Sequence, residues 1–196
     1  MSFWTESNIT PKRNFRFLVQ IDGITTNAGA ATKDSLLWYA KTAQLPSFEM
    51  AETEHNFLDN KYYFPGRVSW SEVAISLVDP VSPDATAIFS RLMMKQGYVI
   101  KDNSMATAPT ISKRKAVAGG VANVSISVID DEGVELERWV LKNPFIKSVS
   151  FSDLDYSSDD LKQIDVTFRY DWAECITNSG QNTDGTYFKK ATTDVS

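Results

Sequence analysis

The stretch FSDLDYSSDDLKQIDVTFRYDW, Phe151 to Trp172, decides the fold class of this chain. It carries six aspartates against one lysine and one arginine, a net charge of −4. In its second half Ile164, Val166, Phe168, Tyr170 and Trp172 alternate with Asp165, Thr167, Arg169 and Asp171. Such a period of two predicts a strand with one face buried and the other in water. A strand of that kind needs antiparallel neighbours and a second layer to cover its apolar face. The acidic half is a different matter. Asp153, Asp155 and Ser157 imitate the start of a calcium loop, but the sixth position is Ser158 instead of Gly and the twelfth is Ile164 instead of Glu. It reads as an Asp/Ser turn whose side chains bond nearby backbone N–H groups.

Working outward, other segments repeat the two-residue period. Phe15, Phe17, Val19 and Ile21 alternate with polar partners up to Asp22-Gly23. LLWYAKTAQ (36–44) reads as a strand stopped by Pro46. In SWSEVAISLVD (69–79), Val73, Ile75 and Leu77 share a face opposite Glu72 and Ser76. Val124, Ile126 and Val128 define another strand, DDEG (130–133) is hairpin chemistry, and 134–141 pairs back before a strand at 145–151. One segment is helical. With Ser82 as cap and Pro83 at the first position, Ala85, Ile88, Phe89, Leu92 and Met93 recur at spacings of three and four up to Gly97. This predicts an amphipathic helix over 82–97, about four turns long.

The rest is less regular. Residues 1–13 form an N-terminal arm, 25–35 and 101–120 are connections, and 177–196 is a polar tail. Residues 47–66 mix apolar and charged positions without one clean period, which reads as an excursion or long hairpin punctuated by Pro65-Gly66. The expected architecture is mainly β. It is an antiparallel β-sandwich or barrel of two packed sheets, one domain over 1–176, with one flanking α-helix.

Composition narrows the function. The formal net charge of −5 argues against a sticky nucleic-acid binder. A single cysteine, Cys175, and a single histidine, His55, exclude an intramolecular disulfide and any one-chain metal site built on two cysteines or two imidazoles. No signal peptide or apolar span is read, so a soluble chain made in a reducing cytoplasm, without a membrane partner, is expected. His55 has no nucleophile in a recognisable motif, Cys175 reads as a buried small residue, and no phosphate-cradling glycine loop occurs. The basic cluster Lys113-Arg114-Lys115 reads as a solvated loop tip. No enzyme, no catalytic residue, no metal and no cofactor are expected.

The order of segments adds a resemblance. AKTAQLPSFEM (40–50), DNKYYFPGRVSWSEVAISLVD (59–79), a helix, and then SVSFSDLDYSSDDLKQIDVTFRYDW (148–172) resemble the tail tube proteins of contractile-tailed bacteriophages. The likeness covers most of 14–175, while 25–35 and the tail beyond 176 are longer than a minimal tube subunit requires. It implies homo-hexameric rings stacked into a hollow tube inside a contractile sheath, in a virion tail assembled in the host cytoplasm. It also implies contacts to sheath, baseplate and tail-terminator proteins, with DNA passing the lumen without specific binding. Type VI secretion tube rings share that fold. A tube initiator or cap, a secretion-system ring and an unrelated β-sandwich binding module are the alternatives.

For such a subunit the functional residues are those of interfaces. Unpaired sheet edges recruit a neighbour's strand, so the subunit sheets are expected to join around the lumen. Glu72, Ser76, Ser125 and Ser127, opposite core-facing residues, are the lumen candidates. Glu54, Phe57, Asp59, Asn60, Lys61, Tyr62 and Tyr63 of the excursion, with Arg16, are the candidates for ring stacking, as aromatic anchors with a charged rim.

Overall fold

A computed structural model describes residues 11–22, 40–82, 84–99, 110–117, 121, 123–178 and 185–189. The connection 25–35 and most of the arm 1–13 lie outside the described residues, as do parts of the 36–44 strand, of 101–120 and of the tail.

The strands are β1 (Phe17–Ile21), β2 (Ala40–Ala43), β3 (Phe48–Phe57), β4 (Asn60–Trp70), β5 (Val73–Val78), β6 (Val124–Ile129), β7 (Glu135–Lys142), β8 (Phe145–Phe151), β9 (Gln163–Arg169), β10 (Trp172–Thr177) and β11 (Gly185–Tyr187). They form a five-stranded sheet in the order β1-β6-β7-β10-β11 and a four-stranded sheet in the order β2-β5-β9-β8. The separate ribbon β3-β4 stands apart from both. Every pairing is antiparallel. The expected sandwich is present, and the described strands do not close a barrel.

The core lies between the sheets. Val73, Ile75 and Leu77 of β5 and Ile164, Val166 and Phe168 of β9 are buried, as the alternation requires. They meet Val19, Val124, Ile126 and Leu141 from the other sheet. Each such side chain contributes roughly 1.5–3 kcal/mol by leaving water. Helix α1 (Ala85–Lys95) closes the side with Ala85, Ile88, Phe89 and Leu92. It is a turn shorter than the sequence suggests, and its cap is Asp84 instead of Ser82; Pro83 lies outside the described residues. Asp84 Oδ1 accepts from Ala87 N at 3.0 Å, a geometry that satisfies one orphan N–H of the first turn. Gly97 ends the helix at φ 102°, and a Cβ there would stand 2.7 Å from Thr110 O.

Four expectations need correction. The run 164–172 is not one strand. The chain leaves the four-stranded sheet after Arg169 and enters the five-stranded one at Trp172. At the crossing the buried parity changes from Ile164, Val166, Phe168 and Tyr170 to Ala173 and Cys175. Pro65-Gly66 does not punctuate the excursion either, since both lie within β4 at a bulge. The tail is not uniformly free: β11 pairs with β10, and Phe188 packs on Phe48 and Trp70 with ring centroids 5.5 and 5.6 Å away. Lys113-Arg114-Lys115, read as a loop tip, is one helical turn capped by Ser112.

Candidate functional site

The β3-β4 ribbon is the most exposed regular element among the described residues. Each of its residues is exposed except Trp70, which is half-buried. At about 3.3 Å per residue, a ten-residue strand reaches roughly 33 Å. Its base is fastened by Phe48 against Trp70 at 5.2 Å, and Trp70 lies 6.1 Å from Tyr170.

The ribbon changes apolar face along its length. At the base Phe48 faces Trp70 and Met50 faces Val68, all on one side. The register then shifts between Met50 and Glu52, so that two residues, Gly66 and Arg67, oppose Ala51. A Cβ on Gly66 would stand 2.9 Å from Ala51 O, so this close approach suits glycine. Beyond the bulge the alternation puts Phe57, Tyr62 and Phe64 on the opposite side, while Glu52, Glu54 and Lys61 share a side with Tyr63. Lys61 Nζ reaches Glu54 Oε1 at 2.9 Å. At the tip Leu58 is 87% exposed and has φ 52°, a left-handed conformation that costs a non-glycine residue about 1–2 kcal/mol.

Seven stacking candidates, Glu54, Phe57, Asp59, Asn60, Lys61, Tyr62 and Tyr63, therefore gather on the outer half of one ribbon. Their aromatics fill no core of their own chain. Arg16 does not join them. It precedes β1, lies 5.5 Å from the Phe15 ring centroid and reaches Asp131 at 3.8 Å. Phe64, an aromatic of the same excursion, lies with the group, and Leu58 at the tip was missed; an apolar residue in a two-residue hairpin turn was the available signal for Leu58.

The four lumen candidates divide between two sheets. Ser76 is on β5 of the four-stranded sheet, and Glu72 immediately precedes that strand. The Ser76 hydroxyl donates to Asp165, and Glu72 binds Lys147 at 2.5 Å. Ser125 and Ser127 are on β6 in the five-stranded sheet. Ser127 is buried and donates to Glu135 Oε2 at 2.7 Å. The outer faces of a sandwich point opposite ways, so one channel wall can take one pair and not both.

The opening acidic run is a turn. Ser157 N and Oγ donate to Asp155 at 2.9 and 2.8 Å, and these bonds, the largest influence first from the backbone, hold the Asp155 carboxyl below its ordinary range. Among the described residues no helix is long and apolar enough to cross a membrane.

No family model matches the chain, and no curated protein matches it in sequence. Solved structures do match it. A chain of the anti-feeding prophage baseplate, 6-fold symmetrised, aligns at a TM-score of 0.58 and 14% identity over 86% of this chain and 97% of that one. Another, from the sheath–tube complex of the PVC extracellular contractile injection system in its extended state, gives 0.58 and 15% over 91% and 99%. The anti-feeding prophage tube-terminating cap gives 0.56 and 16% over 91% and 100%. The chain has the fold of contractile-injection-system components. The resemblance drawn from segment order thus holds at the level of fold.

Proposed function

We propose that this chain is a structural tube subunit that closes into hexameric rings, which stack into a hollow tube inside a contractile sheath. The observation that carries the reading is the β3-β4 ribbon. An isolated two-stranded ribbon is marginal in water, and this one leaves Phe57, Leu58, Tyr62 and Phe64 half or more exposed, or nearly so. Docking on the next ring gives those side chains a partner.

Strand direction supports ring closure. In four successive antiparallel strands the edges β2 and β8 run opposite ways. A rotated copy keeps its β2 direction, so its β2 meets β8 antiparallel and the pairing continues unbroken. In the five-stranded sheet the edges β1 and β11 run the same way, and the same operation would force a parallel pair. The four-stranded sheet is therefore the one we assign to the lumen wall. Ser76, Asp165, Thr167 and Glu72 would face the channel, and Ser125 and Ser127 would not. A wall of hydroxyls and paired charges gives DNA little to bind as it passes.

Sixfold symmetry comes from the resemblance and from the symmetry of the matched baseplate. A tube initiator or terminator would share the ring but would need only one stacking face. Purified protein imaged by negative-stain electron microscopy over a concentration series decides the matter. Six-fold rings that lengthen into tubes without a template are expected, and a strict monomer at the highest concentration would overturn the assignment.

A further inference from the structure

Two features at opposite edges of the four-stranded sheet complement each other. The first is a cleft between the edge strands β1 and β2. Its walls bear Lys12, Arg13, Arg16 and Lys41 against one acid, Glu137, over a floor that includes Phe17 and Val128. Lys12 is held by Glu137, and Arg16 reaches Asp131. Arg13 and Lys41 have no ion-pair partner among the described residues.

The second is the loop joining β8 to β9. Residues 152–162 hold Asp153, Asp155, Asp159 and Asp160 against one basic residue, Lys162, which is held by Asp79. Between the acids Leu154 and Tyr156 are 84% and 113% exposed, and after them Leu161 is 69% exposed. The backbone of the loop is fastened by the bonds to Asp155 and by Asp160 N donating to Ser158 Oγ at 3.2 Å. It therefore presents both acids and apolar side chains from a formed turn.

Register brings the loop level with the Ala40–Lys41 end of the cleft. Gln163, where the loop returns, faces Val78, and Leu77 faces Ala40 at the start of β2. The order β2-β5-β9-β8 sets the loop at one lateral edge and the cleft at the other. A head-to-tail neighbour brings the loop of one copy to the cleft mouth of the next. We propose that the acidic loop Asp153–Asp160 docks into the cationic β1-β2 cleft of a second copy of this chain, with carboxylates on Arg13 and Lys41 and apolar side chains over the cleft floor. This rests on the ring reading. A second copy is the occupant that matches both the charge and the placement on opposing edges of one sheet.

The test uses two full-length variants, Asp153→Lys/Asp159→Lys and Arg13→Glu/Lys41→Glu, neither touching the bonds within the loop. Ring formation is followed by sedimentation against concentration, and thermal unfolding checks that each variant is folded. Each variant alone is expected to need at least about ten-fold more protein to form rings, as loss of a desolvated charge contact implies. An equimolar mixture is expected to assemble nearly as wild type does, because alternating subunits restore opposite charges at every joint. The neutral Asp153→Asn/Asp159→Asn pair guards against misfolding and should shift assembly several-fold in the same direction. Variants that assemble as wild type, or a mixture of folded variants that fails to recover, would overturn the docking while leaving the ring reading intact. Wild-type protein that forms no ring at any concentration would overturn both.

Discussion

Lys113 Nζ grips both carboxylate oxygens of Asp171, at 2.6 and 2.7 Å, at the point where the chain crosses between the two sheets. Asn143 Nδ2 adds a third bond at 2.8 Å, and Asp171 N donates to Lys142 O at 3.1 Å. The crossing residue is thus tied to β7, to the turn after it and to the helical turn at Lys113. Burial pushes the Asp171 carboxyl up, but the bonds from Lys113 and Asn143 outweigh it and hold the group below its ordinary value. A depressed carboxylate stabilises the fold above its unfolded pKa, and that stability is lost as pH falls through the folded value. Asp171→Ala should cost about 1 kcal/mol near neutral pH, a modest loss because water screens the pair. Urea unfolding at pH 7 and pH 3 checks it, with the difference between wild type and variant shrinking at the lower pH.

Asp79 is the more buried anchor. It accepts from Lys162 Nζ and Thr86 Oγ1 at 2.7 Å each and from Ala85 N at 3.2 Å. It thereby joins the end of β5, the start of α1 and the approach to β9. Desolvation raises its carboxyl, and the bonds from Lys162 and Thr86 lower it further than that. Asp79→Ala strands three donors near the first turn of α1. A loss of about 2–3 kcal/mol is expected, lower than for a fully buried pair because Lys162 can turn to water. Hydrogen exchange should show α1 opening first. Uniform loss of protection across the sheets instead would contradict this account.

The sandwich was legible because its central strands obey a strict period: Val73, Ile75, Leu77, Ile164, Val166 and Phe168 are buried where alternation puts them. The sheet crossing was hidden because Tyr170 and Trp172 continue the apolar alternation through it. The parity change shows only in Ala173 and Cys175, too small to announce a face. In the ribbon, β4 keeps Tyr62, Phe64, Val68 and Trp70 at even positions, with Tyr63 between the first two, and the bulge silently turns half of those four over. Period two tells which residues share a face but not which sheet the face belongs to. That is why the lumen candidates Ser76 and Ser125 were grouped.

Tyr170 carries a hydroxyl that is buried with no hydrogen-bond partner among the described residues. Desolvation pushes its phenol up to about 12, against a lesser opposing pull from Arg169. The folded state therefore holds the proton where the unfolded chain releases it, so stability falls as pH rises from about 10 towards 12. Tyr170→Phe removes an unsatisfied group at nearly constant shape. It should be neutral or stabilising by up to about 1 kcal/mol and should remove this alkaline loss. A variant destabilised by more than that would mean the hydroxyl is bonded in solution. Thermal unfolding at pH 7 and pH 11 reads both effects.

The ribbon tip separates assembly from stability. Phe57 is 59% exposed and Leu58 87% exposed, so neither holds its own domain together. Phe57→Glu should leave monomer unfolding within about 0.5 kcal/mol of wild type, as for other surface changes. It should still permit rings but block their stacking, because the apolar face beyond the bulge would then carry a charge. Leu58→Gly should behave differently. Glycine adopts φ 52° without strain, so the monomer should gain up to about 1 kcal/mol. The same substitution deletes an apolar side chain from the tip, so tubes should become shorter or need more protein to form. A tighter monomer with weaker stacking is a pattern that only an intermolecular role for Leu58 produces. If Leu58→Gly instead destabilised the monomer and left tube formation unchanged, the tip would be a structural turn and the stacking face would have to lie elsewhere.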